Sequence, residues 1–127
     1  MANEVVYQVQ ATLSNGGVQD NYSSGSQAID QTTSGLAKNT QGIGTTAAGE
    51  ALDIGNLTTP GMSYFVNLDN PDTSTEYIEI GVESGGTFYP LVKLKAGEKA
   101  FFRLTTTTPR ARSSAGTISL MYGIYED

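Results

Sequence analysis

With no His or Cys in the sequence, paired carboxylates are the catalytic constellation it still offers. The chain of 127 residues has 13 Asp and Glu but no His, Cys or Trp. Thiol nucleophiles, serine–histidine triads and imidazole or thiolate metal sites are therefore excluded. A pair of carboxylates suffices for glycoside hydrolysis. Glu79 and Glu83 share one face of a predicted strand with Tyr77 and Gly81. On extended chain they stand roughly 13 Å apart, beyond either glycosidase spacing, and read as solvent-facing charges. The run from Asp69 to Glu76 offers oxygen ligands, yet it lacks the glycine and ligand rhythm of an EF-hand loop. Asx and proline turn chemistry accounts for the same residues. The sequence thus predicts a non-enzymatic protein with no catalytic, cofactor-binding or metal-binding residues.

Charge is sparse and uneven. Charged residues make up 16% of the chain, against about 25% in an average domain. The net charge of −6 argues against direct nucleic-acid or membrane partners. Residues 1–92 contain one basic group, Lys38, and ten acidic ones. Residues 93–112 contain Lys93, Lys95, Lys99, Arg103, Arg110 and Arg112 against Glu98 alone. A basic stretch on an acidic body suits docking between copies or on an acidic partner. The plainer reading is a lysine-protected sheet edge. No segment approaches a membrane span, and Met1 to Val9 lacks the pattern of a signal peptide, so synthesis in a cytoplasm is expected. The Asn21 and Asn56 sequons then read as chance matches.

The elements that would position these residues are strands. Sixteen Thr, 11 Ser and 15 Gly favour extended chain and turns over helix. Val5, Tyr7, Val9, Ala11 and Leu13 alternate with polar residues and end at Asn15-Gly16-Gly17, a turn signal. A weak strand is expected near 26–31, and the rest of the polar region up to residue 60 offers little core. Met62, Tyr64, Val66 and Leu68 alternate, as do Ile78, Ile80 and Val82, and Ile118, Leu120, Tyr122 and Ile124. Pro90 places the strand 88–95 at an edge or a bulge. Ala100, Phe102 and Leu104 follow the Ala96-Gly97-Glu98 turn on one face. The expected fold is all-β, a single antiparallel β-sandwich over residues 1–127, jelly-roll-like, with about eight strands. Residues 1–60 form its extended N-terminal portion and 61–127 its main core.

Phe65, Tyr77, Tyr89, Phe101 and Tyr125 fall opposite the strongest apolar alternation, together with Leu91 and Met121. Such a set fits a subunit interface, where tyrosine is enriched, or, as an alternative, a carbohydrate-stacking surface. The expected interface comprises Val5, Tyr7, Phe65, Tyr77, Tyr89, Leu91 and Phe101, with the basic Lys93, Lys95, Arg103, Arg110 and Arg112. The strand 4–13 would add its backbone to a neighbour's sheet.

The strand, Ala-Gly-Glu turn and strand from Phe88 to Leu104, preceded by Tyr77-Ile78-Glu79-Ile80-Gly81 and the turn at Asn67 to Asp72, resemble small β-sandwich virion proteins of tailed bacteriophages. The likeness covers roughly residues 62–104. It implies a structural subunit of a virion: a capsid decoration or cement protein, or alternatively a neck, tail or fibre component. The partners implied are the major capsid protein or other virion proteins, while cyclic closure, which hides sheet edges and outward aromatics, predicts a homo-oligomer of three copies of the chain.

Overall fold

The computed structural model describes residues 4–31 and 34–127. All regular elements are strands, and they fall into two compact units that divide after residue 33.

The first unit is a β-ribbon. β1 (Val5–Tyr7) pairs antiparallel with β4 (Gln27–Ile29), and β2 (Gln10–Asn15) with β3 (Val18–Ser23). Gly16, at φ 59, opens the two-residue turn that the Asn-Gly-Gly sequence predicted. The register shifts by one residue between the two pairs, and Gly25, at φ 64, occupies the extra position as a bulge. The Ser24 amide donates to Val9 O at 2.9 Å and carries the ribbon past the shift. The expected single strand 4–13 is therefore two segments already paired along one edge, so it is not an open template on both sides.

The second unit is an eight-stranded sandwich: β5 (Leu36–Ile43), β6 (Glu50–Ala51), β7 (Pro60–Asn67), β8 (Tyr77–Ser84), β9 (Thr87–Lys95), β10 (Lys99–Arg103), β11 (Arg110–Ser113) and β12 (Ile118–Glu126). One sheet runs β10-β7-β12-β5 and the other β6-β11-β8-β9, with every pairing antiparallel. The pairs β5–β12, β6–β11, β7–β10 and β8–β9 are nested around one hairpin, which is the wrapping of a jelly roll. At the centre of that wrapping, Gly85 and Gly86 have φ 61 and 84, as a type I′ turn requires. The sandwich starts at Leu36, so the Gly- and Thr-rich stretch before residue 61 supplies two of its strands and the core residues Ile43 and Leu52.

The core draws Ile43, Phe65, Leu120, Tyr122 and Ile124 from one sheet and Ile78, Ile80, Leu94 and Ala111 from the other. β12 alternates as its sequence predicts. β7 reverses: Ser63, Phe65 and Asn67 are buried, while Met62, Tyr64 and Val66 are half-exposed. Phe65 is thus a core residue and not part of an interface. Its ring stacks on Phe102 with centroids 5.2 Å apart and lies 6.1 Å from Tyr122. β7 carries apolar residues on both faces, so alternation alone could not orient it. The opposite strand decides: Gly123 pairs with Tyr64 and leaves room on the outer face for the Tyr64 ring, which a Cβ at Gly123 would strike.

Polar groups join the two sheets. The buried Asn67 amide donates to Leu94 O across the sandwich at 3.0 Å, and its oxygen accepts from the Asp69 amide. The buried Tyr122 hydroxyl lies 2.8 Å from Asp53 O and 3.0 Å from Gln41 Oε1. Burial pushes its phenol pKa up, and the hydrogen bond from Asn39 opposes the shift. Glu126, near the end of β12, accepts from the Thr58 hydroxyl at 2.8 Å and from the Thr58 and Thr59 amides. These donors, the Thr58 hydroxyl first, hold its carboxyl below the usual range against the opposing effect of burial. No buried side-chain nitrogen or oxygen among the described residues lacks a partner.

Candidate functional site

On the ribbon, directly paired residues share a face. Ala11 with Tyr22, Leu13 with Asp20, and Asn15 with Val18 lie on one side. Gln10 with Ser23, Thr12 with Asn21, and Ser14 with Gln19 lie on the other. Along the outgoing strand the first face continues through Val9 to Tyr7 and Val5, opposite Gln27 and Ile29. Over β2 and β3 the ribbon has one largely apolar face and one neutral polar face, whereas in β1 and β4 the exposed Val6 pairs with Ala28 on the other side, so apolar residues stand on both. Every residue of β2 and β3 is exposed, including Leu13 at 47%, Val18 at 61% and Tyr22 at 54%. Between Val5 and Ile29 the only charge is Asp20, close to the turn. Val5 and Tyr7, expected at an interface, belong to this face. Val18, Tyr22 and Ile29 join them from the return strand, where polar residues outnumber the apolar ones. Counting back from the Gly16-Gly17 turn would have put Val18 and Tyr22 opposite Asn15 and Ala11.

In the sandwich, the basic stretch does not form a stripe. β9 and β11 lie in one sheet and β10 in the other, so neighbours in sequence part in space. Arg103 pairs with Asp127 at 2.6 Å, on the β10-β7-β12-β5 sheet. On the opposite sheet, Lys93, Glu79 and Arg112 stand in one row across β9, β8 and β11. Lys93 Nζ lies 4.0 Å from the Tyr77 ring centroid, covering a ring face that a sugar would need. Arg112 contacts Glu79 Oε1 at 3.2 Å and lies over the Phe88 ring. Arg110 donates from Nε to Ala48 O and from a terminal nitrogen to Gly49 O at 2.7 Å. Arg110 and Arg112, expected to meet a partner, are engaged in pinning the 47–49 loop over Phe88. That ring is buried, and a Cβ at Gly49 would meet it at 2.6 Å. Lys95 is exposed on the β9 edge strand, opposite Tyr77.

Pro90 sits both at an edge and at a bulge. Ile80 pairs with Val92 and Gly81 with Pro90, so Leu91 is the extra residue, 73% exposed. The strand then approaches so closely that a Cβ at Gly81 would stand 2.0 Å from Tyr89 O. Behind the bulge, Ile80, Val82, Val92, Phe102 and Leu104 line an apolar cleft of about 160 Å³. Small-molecule sites occupy roughly 300–1,000 Å³, so the cleft has room for a single apolar side chain. Tyr89 is half-exposed beside Leu91. Phe101 and Tyr125 lie on the outer face of the other sheet around Tyr64, with Tyr64 and Tyr125 centroids 6.4 Å apart. The expected outward set is thus divided among separate surfaces.

Several of the acidic residues serve the fold. Glu79 binds Arg112, and the Asn70 side chain caps its own turn through the Asp72 amide. Glu98 Oε1 accepts from the Lys95 amide, which closes the Ala-Gly-Glu turn. Among the described residues, no three acidic groups stand close enough to hold a metal ion. The geometry offers surfaces for binding: an apolar ribbon face and an apolar cleft beside a bulge. Comparison with family models, curated proteins and solved structures finds no match to this chain.

Proposed function

We propose that this chain is a non-enzymatic structural subunit of a virion, a decoration protein that sits as a trimer on repeated sites of a bacteriophage capsid and stabilises the particle. The observation that carries the reading is the pairing of a jelly roll, whose buried polar groups are matched, with a ribbon that exposes an apolar face. Jelly rolls are widespread among capsid and lectin domains, so the fold agrees with this reading without deciding it. The likeness of residues 62–104 to small phage virion proteins supplies the setting. A subunit that binds a lattice gains avidity from simultaneous weak contacts and needs no deep pocket.

Co-sedimentation of the full chain with purified phage capsids tests the proposal. The chain should pellet with capsids and saturate at a ratio set by the number of equivalent sites. If it stays in the supernatant at every ratio, the capsid reading fails.

A further inference from the structure

We infer that the outer face of the β10-β7-β12-β5 sheet is a binding site for an acidic saccharide. The Tyr64 ring is its stacking floor, and Lys38, Lys99 and Arg103 are the cations that meet the carboxylates. The site lies beyond the virion reading and does not rest on it.

An antiparallel sheet packed on one side ordinarily turns polar residues outward. This one does not. Met62, Tyr64 and Val66 of β7 and Met121 and Tyr125 of β12 point away from the core and are half-buried. One row crosses all four strands through Phe101, Tyr64, Gly123 and Lys38. Gly123 sets how that row is used. A Cβ there would run into Cε2, Cζ and Oη of Tyr64, so the far end of the ring lies across the glycine, one side to the sheet and the other away from it. Tyr125 stands beside it at 60°, with ring centroids 6.4 Å apart. Floor and wall together suit the apolar C–H face of a sugar ring, with phenol hydroxyls in reach of its hydroxyls. Tyr77 on the opposite sheet lacks this opening, because Lys93 lies over its ring.

Charge complementarity selects an acid. The chain carries −6 overall, yet this face bears Lys38, Lys99 and Arg103, all exposed. The acids nearest by sequence are Asp127, which pairs with Arg103, and Glu126, which is turned inward onto Thr58 and Thr59. Exposed charges more than about 8 Å away are largely screened at physiological ionic strength, so the local cations outweigh the acidic remainder. Their spacing selects the kind of polymer. Lys99 and Arg103 stand roughly 13 Å apart along β10, and Lys38 lies three strands from that edge, roughly 14 Å away. Cations at such corners suit a chain whose carboxylates are separated by neutral rings. A polynucleotide, with a phosphate at every residue, needs a continuous basic track that these strands lack.

Calorimetric titration of the full chain with hyaluronan oligosaccharides, in which carboxylate-bearing rings alternate with neutral ones, provides the test. The comparison ligands are the same oligosaccharides with each carboxylate reduced to the alcohol, and oligo(dT). Hyaluronan should bind, and the reduced form should bind at least about tenfold more weakly. Tyr64→Ala should lower the affinity for hyaluronan by at least about tenfold. Lys38→Gln should lower it about threefold and flatten its salt dependence. Lys38 is exposed on the sheet surface, so this variant reads the site even where Tyr64→Ala weakens the fold. Tyr89→Ala, on the opposite sheet, should leave the affinity unchanged. Absence of hyaluronan binding overturns the inference, as does equal affinity for the neutral form, or wild-type affinity in both the Tyr64 and Lys38 variants. Tighter binding of oligo(dT) than of hyaluronan overturns it in favour of a nucleic-acid surface. A chain that binds hyaluronan but does not pellet with capsids sinks the proposed function and leaves this site standing; the opposite pair of results does the reverse.

Discussion

The ribbon and the sandwich apply the same two-residue alternation to opposite ends. In β12 the apolar set Ile118, Leu120, Tyr122 and Ile124 is fully or nearly fully buried between two sheets. In β2 and β3 the apolar set Ala11, Leu13, Val18 and Tyr22 is exposed. Sequence periodicity specifies that a face is to be covered but not by what. Where the chain supplies a second sheet, the face becomes core; over β2 and β3 it stays exposed. Polar matching separates the units as well. Asn67, Tyr122 and Glu126 lock the sandwich through side-chain hydrogen bonds between distant segments, whereas the ribbon bonds at Ser23, Ser24 and Gln27 are local or hold the shift in register.

Substitutions should separate the two regions by the size of their effect on unfolding. Phe65→Ala, in the middle of the sandwich, should cost about 3–5 kcal/mol in denaturant unfolding; a cost under 1 kcal/mol would mean that the ring is not in the core. Gly81→Ala should follow at about 3 kcal/mol, because the added Cβ overlaps Tyr89 O and the bulge must open. Smaller and pH-dependent is the contribution of Glu126. Its carboxyl titrates below the unfolded value, so its stabilisation is present above the ordinary carboxylate range and is lost as pH falls through the lowered folded pKa. Acid melts of Glu126→Gln against wild type should therefore differ at neutral pH and converge in acid. Divergence on acidification would reverse the sign assigned here. Least of all, Leu13→Ser should move the unfolding of the sandwich by no more than about 0.5 kcal/mol.

Much of this architecture is legible in the sequence. The absence of helical periodicity, the turns at Gly16-Gly17 and Gly85-Gly86, and the bulge at Pro90 each follow from local chemistry. The strand β12 is equally plain. Two things are not legible, for distinct reasons. The face of β7 is ambiguous because both parities are apolar, and only Gly123 on the neighbouring strand resolves it. The stretch from Lys93 to Arg112 looks like one basic surface, but it crosses from sheet to sheet, and its two last arginines fasten the 47–49 loop. Half of the apolar ribbon face is read directly from Val5 to Leu13; the other half is concealed in a Ser-, Gln- and Asn-rich strand until the turn fixes its register.

The central claim is that the sandwich is complete in itself. A chain beginning at Ser34, compared with the full chain by thermal unfolding, tests it most directly. The account predicts a cooperative melt within a few degrees of the full chain. A truncated protein that is unfolded would contradict it.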